Sequence, residues 1–376
     1  MRTGSIAGQH QHDMMIDVSH DELAYQQFVQ TYLAEMNGRL LQGMKPIVDA
    51  EGTPGTIKQV TDQRRRYLKH PYGQMWSSLR RIGREFTCEA VGPSVERQLP
   101  ELIEKARKYR GSNRKIGSLQ LDPSVKAPRY NTEIEIHCKP GGYHTELTED
   151  DVFAGAEYDR TTYLNTSGRL GPLQDMLGKD VAHWIKRMYP DLKPKRILEM
   201  GCTIGQSTIG WADAFPDAEI HAIDVAAPCL RYGHARAEAL GRRIHFSQQD
   251  AEKTSFPDNH FDIVTSHAMI HETATQALHN IFAESLRILK PGGVMAHNDG
   301  APFRDLTPLG RVVPDWDTHY NAEPFITKMR GSDLAEWAFA AGWPKGSVRS
   351  AYTSETSAAS KGNQIGGAGY VIVGRK

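Results

Sequence analysis

Short apolar runs alternate with segments of helical periodicity through the second half of the chain. The runs predict strands at Arg196–Met200, Glu219–Val225, Ile244–Gln248, Phe261–Ser266 and Val294–His297. The periodic segments predict helices at about Ser207–Phe215, Pro228–Leu240 and Ala274–Leu289. Alternation of this kind makes βαβ units, a parallel sheet covered on both faces. A long loop, Ala301–Gly331, precedes a helix at Ser332–Ala341 that stops at Gly342. Val348–Tyr352 and Gly369–Val373 read as two last strands, and their polar Ser/Gly-rich connection suits an antiparallel hairpin.

The first half has no such rhythm. Leu23, Phe28, Tyr32, Met36 and Leu40 lie near helical spacing and predict an amphipathic helix over residues 20–42. Its apolar stripe must be buried, either against the same chain or in a homodimer. Tyr72–Tyr109 reads as two or three helices broken at Gly92-Pro93 and Pro100. Ser118–Leu121 and Thr132–His137 alternate like strands, with a turn at Pro140-Gly141-Gly142. Thr148–Leu164 reads as a helix capped by Thr148, with Asp150 and Asp151 in its first turn. The expectation is a mainly helical accessory or cap domain over 1–164, with a short β region, and an α/β domain over 165–376.

Composition narrows the class. Lys plus Arg and Asp plus Glu balance at 45 each, which argues against a long nucleic-acid-binding surface. The N-terminal stretch lacks the apolar core of a secretory signal, and no apolar run is long enough to span a membrane. Cys88, Cys138, Cys202 and Cys229 are scattered and form neither a metal pair nor a disulfide framework. A cytoplasmic enzyme is expected.

The chemistry concentrates in RILEMGCTIGQS, where the first strand of the sheet meets its first helix. Glycines there let backbone approach a ligand, and the helix N-terminus offers unpaired N–H groups. A dinucleotide fingerprint starting at Gly201 needs glycine at 203 and 206, where Thr203 and Gln206 stand. Glu199 precedes Gly201 by two residues, and the next glycine is Gly205. Asp224, beside Val225, ends the second strand 19 residues after Gly205, where a carboxylate can accept both ribose hydroxyl protons. Asp250, followed by Ala251, ends the third strand. Phe261-Asp262-Ile263-Val264 and Leu289-Lys290-Pro291-Gly292-Gly293 complete the series.

Taken in order, these pieces resemble the class I S-adenosylmethionine-dependent methyltransferases, whose motif I reads E/D-x-G-x-G-x-G. Thr203 departs from that motif at its middle glycine. The resemblance covers about residues 165–376 and implies a Rossmann-like seven-stranded sheet of order 3-2-1-4-5-7-6. It implies S-adenosyl-L-methionine as cofactor, held by Glu199, Gly201, Gly205, Gln206, Asp224, Val225, Asp250, Ala251 and His267. It also implies that Asp250 meets the adenine amino group and that Tyr158 and Tyr163 cover the methionine end.

Beyond the fourth strand stand His267, His271 and Glu272. His271 lies nine residues after Asp262, the offset at which the similar plant-type small-molecule O-methyltransferases carry a general-base histidine. A neutral imidazole suits proton removal near pH 7. Glu272 or Asp299 could orient it. His267, His271 and His297 could alternatively bind a transition metal, but magnesium prefers oxygen ligands, and no metal is expected. The long loop carries Trp316, His319, Tyr320 and Phe325, which suit a pocket wall for an organic acceptor. The expected function is methyl transfer to a small molecule, at oxygen. The alternatives are a nitrogen or sulfur acceptor, or a non-methylating protein of this fold.

Overall fold

The computed structural model describes residues 8–49, 55–353 and 369–376. Among these residues eight strands form one sheet: β1 Ser118–Gln120, β2 Arg196–Met200, β3 Glu219–Asp224, β4 His245–Gln248, β5 Phe261–His267, β6 Leu289–Asp299, β7 Val348–Tyr352 and β8 Tyr370–Arg375. Their order across the sheet is β1-β4-β3-β2-β5-β6-β8-β7. From β4 onward this is the expected seven-stranded order. The addition is β1, which the first half contributes parallel to the β4 edge, pairing Ser118 with His245. The strands run parallel except β8, which is antiparallel to both β6 and β7. The connection between β7 and β8, residues 354–368, lies outside the described residues.

Among the described residues there are fourteen α-helical segments. The first half carries α1 His20–Asn37, the short turns α2 Arg39–Gln42 and α3 Lys45–Val48, α4 Ile57–Tyr67, α5 Pro71–Gly111, α6 Arg129–Thr132 and α7 Phe153–Thr166. The second carries α8 Met176–Met188, α9 Gln206–Ala214, α10 Ala227–Ala239, α11 Thr275–Ile288, α12 Pro308–Tyr320, α13 Ile326–Arg330 and α14 Leu334–Ala340. No helix among the described residues is long and apolar enough to cross a membrane.

Buried Ile, Val, Leu and Phe of β2, β5 and β6 alternate between two clusters, one on each sheet face, which is why these strands read as apolar runs. A third cluster joins α5 and α7 to α10 through Val91, Leu102, Leu164 and Tyr232. A fourth sets Trp76 of α5 against Trp316 of α12. Since α7 runs across the expected boundary at 164 and β1 extends the sheet, the two halves share core and secondary structure.

Several local expectations are corrected. Pro93 and Pro100 do not break the helix: α5 runs unbroken for 41 residues. Each proline removes one backbone donor, but packing on α1, α7 and α10 holds the helix together. Thr132–His137 is not a strand; α6 is followed by a 3₁₀ turn at Ile136–Cys138, with His137 at φ 61°. The helix expected from Thr148 begins at Phe153, and Asp151 accepts hydrogen bonds from the backbone N–H groups of Phe153 and Leu147 at 2.6 and 2.7 Å. The long loop Ala301–Gly331 contains α12 and α13. On α1, capped by a Ser19–Glu22 box, the buried stripe is Gln26, Val29, Leu33 and Met36, against α5. Phe28, assigned to the stripe, is 52% exposed.

Candidate functional site

The turn after β2 sets the first part of the site. Gly201, Thr203 and Gly205 all take positive φ, a conformation that only glycine adopts freely. A Cβ on Gly201 would lie 2.6 Å from the Met269 side chain, and one on Gly205 would lie 2.8 Å from the Phe246 ring. Thr203 tolerates the strain because its N–H donates to Asp224 Oδ2 at 2.8 Å. The Ala226 N–H donates to the other Asp224 oxygen at 2.9 Å. Burial raises the Asp224 carboxyl above its usual range, although these backbone donors oppose the shift.

Below the turn, Glu199 is buried and serves two partners. His267 Nδ1 donates to its Oε1 at 2.9 Å, and the Thr208 hydroxyl donates to its Oε2. Trp211 Nε1 points at His267 Nε2 from 3.4 Å, so the ring fits a neutral Nδ1–H tautomer. Glu199 thus fixes His267 and the helix start, besides lining the cleft.

Two connected cavities open at the carboxyl ends of the strands. The smaller, about 110 Å³, is lined by Asp224, Val225, Asp250 and Ala251, and by Tyr130 and Tyr143 of the first half. The larger, about 650 Å³, begins at Gly201 and Gln206. Gln206 Nε2 donates to the Tyr158 hydroxyl at 3.0 Å, while its buried Oε1 has no partner. Tyr158 lines both cavities; Tyr163 is packed in the core beneath. Gly205 lines neither cavity and acts through the turn.

The far end of the larger cavity is a network of charge. His271 Nδ1 lies 2.8 Å from Asp299 Oδ1, and the His271 N–H donates to Asp299 Oδ2 at 3.1 Å. His271 Nε2 lies 3.7 Å from Glu323 and 4.0 Å from Glu272, beyond hydrogen-bond reach of either. His137, from the first half, bridges the two glutamates, with Nε2 2.9 Å from Glu272 and Nδ1 3.0 Å from Glu323. The Tyr143 hydroxyl donates to Glu272 at 3.2 Å. Burial alone would lower both imidazoles, but the surrounding carboxylates outweigh it. His271 is raised to about 9 and His137 to about 10. Burial likewise opposes ionisation of Glu323, yet His137 and His271 hold its carboxyl down at about 2. No group of His, Cys, Asp or Glu among the described residues has metal-holding geometry. His297 sits deep in the core, bonded to Ser266 and Ser285.

None of the four residues expected to wall an acceptor pocket lines either cavity, although their segment borders the larger one. Trp316 is fully buried against Trp76, Tyr320 packs on Trp316, His319 faces outward, and Phe325 stacks edge-on with Tyr130. The cavity meets Val313, Pro314, Asp317, Glu323, Ile326 and Arg330 instead. The helical phase of α12 and α13 decides this, and a segment read as a loop has no phase. His137, Tyr143, Arg84 and Arg330 also line the larger cavity, and the sequence does not single them out because they come from separate segments with no common spacing. The turn before Tyr143 was the only local signal.

A family model described as a methyltransferase domain matches residues 197–293. The fatty-acid O-methyltransferase of Mycolicibacterium smegmatis is 29% identical over 126 residues, 33% of this chain and 44% of that protein. The ubiquinone/menaquinone biosynthesis C-methyltransferase UbiE of Pseudomonas syringae pv. syringae is 34% identical over 145 residues, 37% of this chain and 56% of that protein. The chain thus spans about half the length of the curated relatives it matches. A solved structure of Haemonchus contortus phosphoethanolamine N-methyltransferase 2 with S-adenosyl-L-methionine is similar over 47% of this chain and 39% of that one, at 19% identity and a TM-score of 0.36.

Proposed function

We propose, from the premise that this chain belongs to the class I S-adenosylmethionine-dependent methyltransferases, that the protein methylates a small organic molecule at oxygen, with His271 as general base. The cofactor supplies a methyl group already activated on a sulfonium. The residues at the strand ends fit it: a strand-end carboxylate for a diol at Asp224, a glycine at 201 whose bare backbone lines both cavities, and an unsatisfied Gln206 Oε1 for a donor. Asp250 and Ala251 would face the adenine, Tyr158 and the α9 N-terminus the methionine end. The first half, through Tyr130, Tyr143 and His137, would cover both cavities and exclude water.

The observation that carries the oxygen reading is the His271–Asp299 contact at 2.8 Å. Asp299 accepts from Nδ1 and orients the ring, which leaves Nε2 on the cavity side without a hydrogen-bond partner. A hydroxyl is a poor nucleophile until its proton leaves, and an imidazole so oriented can take that proton once it is itself neutral. A bound sulfonium would favour the neutral form by charge repulsion. S-adenosylhomocysteine release with a panel of hydroxyl, amine and thiol acceptors tests the proposal. Activity confined to amines or thiols would remove oxygen, and no release with any acceptor would leave a cofactor-binding protein.

The raised His271 value favours a second reading. An imidazolium cannot accept a proton, so an acceptor that needs no base, an amine or a thiolate, fits the resting charge state near pH 7. The rate's dependence on pH separates the two, since only the first requires loss of the His271 proton.

A further inference from the structure

The charges at the far end of the larger cavity are not evenly satisfied. Asp299 accepts from His271 Nδ1, the His271 N–H and the Gly300 N–H. Glu323 is met by His137 and by Asn321 Nδ2 at 2.5 Å, and Glu272 by His137 and Tyr143. Asp317 is paired with Arg80 at 3.0 Å. Every carboxylate here has its donors.

Arg330 does not have its acceptors. Its side chain lines the cavity and is nine-tenths buried, yet only Nη1 donates, to the Ala301 carbonyl at 2.9 Å. Nε and Nη2 have no partner among the described residues, and no carboxylate forms an ion pair with this guanidinium. A Cβ on Gly300 would lie 2.0 Å from Arg330 Nη2, so residue 300 is reduced to backbone where the guanidinium sits. Arg84 lines the same end. Its Nε donates to Asn321 Oδ1, and its Nη2 faces a His137 nitrogen at 3.3 Å that is already turned to Glu323. Burying an arginine with open donors is unfavourable unless something supplies oxygen atoms. With both imidazoles protonated, the cations Arg84, Arg330, His137 and His271 exceed the carboxylates Asp299, Glu272 and Glu323 by one charge.

We infer that this end of the cavity is an oxyanion subsite, and that the methyl acceptor is an acidic small molecule whose carboxylate or phosphate seats on Arg330 and Arg84. The inference rests on the proposed function for calling this the acceptor end. A planar guanidinium matches either oxyanion through paired N–H donors, which a lysine in its place would not. While His271 is protonated the arrangement disfavours a simple cationic amine, whose charge would add to the surplus; once His271 is neutral these charges balance and the two arginines still offer donors to an oxyanion.

Calorimetric titration of the full chain with benzoate and, separately, with inorganic phosphate tests this, each with S-adenosylhomocysteine present. At least one anion should bind, and its Kd should rise about tenfold or more in Arg84→Gln and in Arg330→Gln, the loss expected for a charge-assisted contact. Binding of benzoate alone supports a carboxylate, and of phosphate alone a phosphate ester. Thermal unfolding checks each variant; if Arg330→Gln does not fold, the half-buried Arg84→Gln decides. Binding of neither anion to the native chain, or unchanged binding in a folded variant, overturns the subsite. Titration with S-adenosylhomocysteine alone reads the cofactor part of the parent proposal separately, because neither arginine lines the smaller cavity, where Asp224 and Asp250 would hold it.

Discussion

The two halves of this molecule contribute to one site by opposite means. The second half places Asp224, Asp250, His267 and Asp299 at strand ends, one per βα unit, so their positions follow from sheet order. The first half delivers His137, Tyr143 and Arg84 from a strained turn, a loop and the middle of a long helix. Sheet-borne groups are fixed by backbone pairing that would persist without a ligand. Helix- and turn-borne groups are fixed by side-chain contacts to the other half, chiefly His137 to Glu272 and Glu323. In the proposed reading the cofactor rests mainly on the first kind of support and the acceptor on both, a division that mutation can break or sharpen.

The largest effect should come from His271→Ala, which removes the proposed base and leaves the sheet untouched. Turnover should fall about 10²–10⁴-fold with cofactor affinity nearly native, since positioned base catalysis contributes that much. Near-native turnover on the true acceptor would eliminate the base. The pH profile gives the sign independently. A folded value of about 9 means the imidazole is protonated below it, so kcat/KM should rise as pH increases toward 9 and level off above. Asp299→Asn removes the carboxylate that most opposes the burial effect. It should move this limb to lower pH while lowering the plateau, because the ring loses its orientation. A limb that stays in place would show that Asp299 does not set the His271 charge state.

Trp316→Ala should come next, and its readout is stability. The ring is fully buried, meets Trp76 edge-on with centroids 6.0 Å apart, and donates from Nε1 to the Ser77 hydroxyl at 2.7 Å. The Arg80 guanidinium lies 4.9 Å from its centre. Truncating a large buried aromatic costs about 3–5 kcal/mol. Denaturant unfolding should register that loss; an acceptor KM that rises with stability unchanged would return Trp316 to the pocket wall.

Asp224→Ala should weaken binding of S-adenosylhomocysteine by about 1–3 kcal/mol, the penalty of losing a buried hydrogen-bond partner. Part of that arises indirectly, because Thr203 and Ala226 lose the acceptor that shapes the turn. Calorimetry with unchanged affinity would move the ribose away from β3.

How much of this was legible in the chain follows the same division. The strands β2 to β8 and the helices α9, α10 and α11 come within two residues of their expected bounds, except that β6 starts at Leu289 and not Val294, because a two-face-buried sheet writes itself as apolar runs. Glu199, Asp224 and Asp250 sit at or just past the ends of such runs and His271 four residues past β5, and the resemblance to the methyltransferases is what singled them out. The acceptor wall could not, because α12 begins Thr307-Pro308 and carries Pro314, which reads as a loop. The unbroken α5 failed for the same reason: proline is a strong local signal that long-range packing overrides. His137 is the extreme case, since its role depends on glutamates 135 and 186 residues away in sequence.

The smallest effect should come from the first half's exposed aromatic surface. Phe28 lies on α1 within stacking distance of Tyr25, Tyr32 and Phe86, with centroids 6.0–6.4 Å apart, and half of its surface faces solvent. The burial that anchors α1 is on another face, where Val29 and Leu33 pack against Ala90 and Gln26 Nε2 donates to the Ala90 carbonyl at 3.0 Å. Phe28→Ser should therefore lower stability by less than about 1 kcal/mol, because only part of an aromatic side chain leaves an apolar setting and no cavity forms. Val29→Ala, one residue along and fully buried, should lower it by more, through lost contacts and the space left behind. If the Phe28 variant proves the more damaging in urea unfolding, the aromatic surface and not the Val29 stripe holds α1. A dependence of that damage on protein concentration would mean that the surface is covered by another copy of the chain.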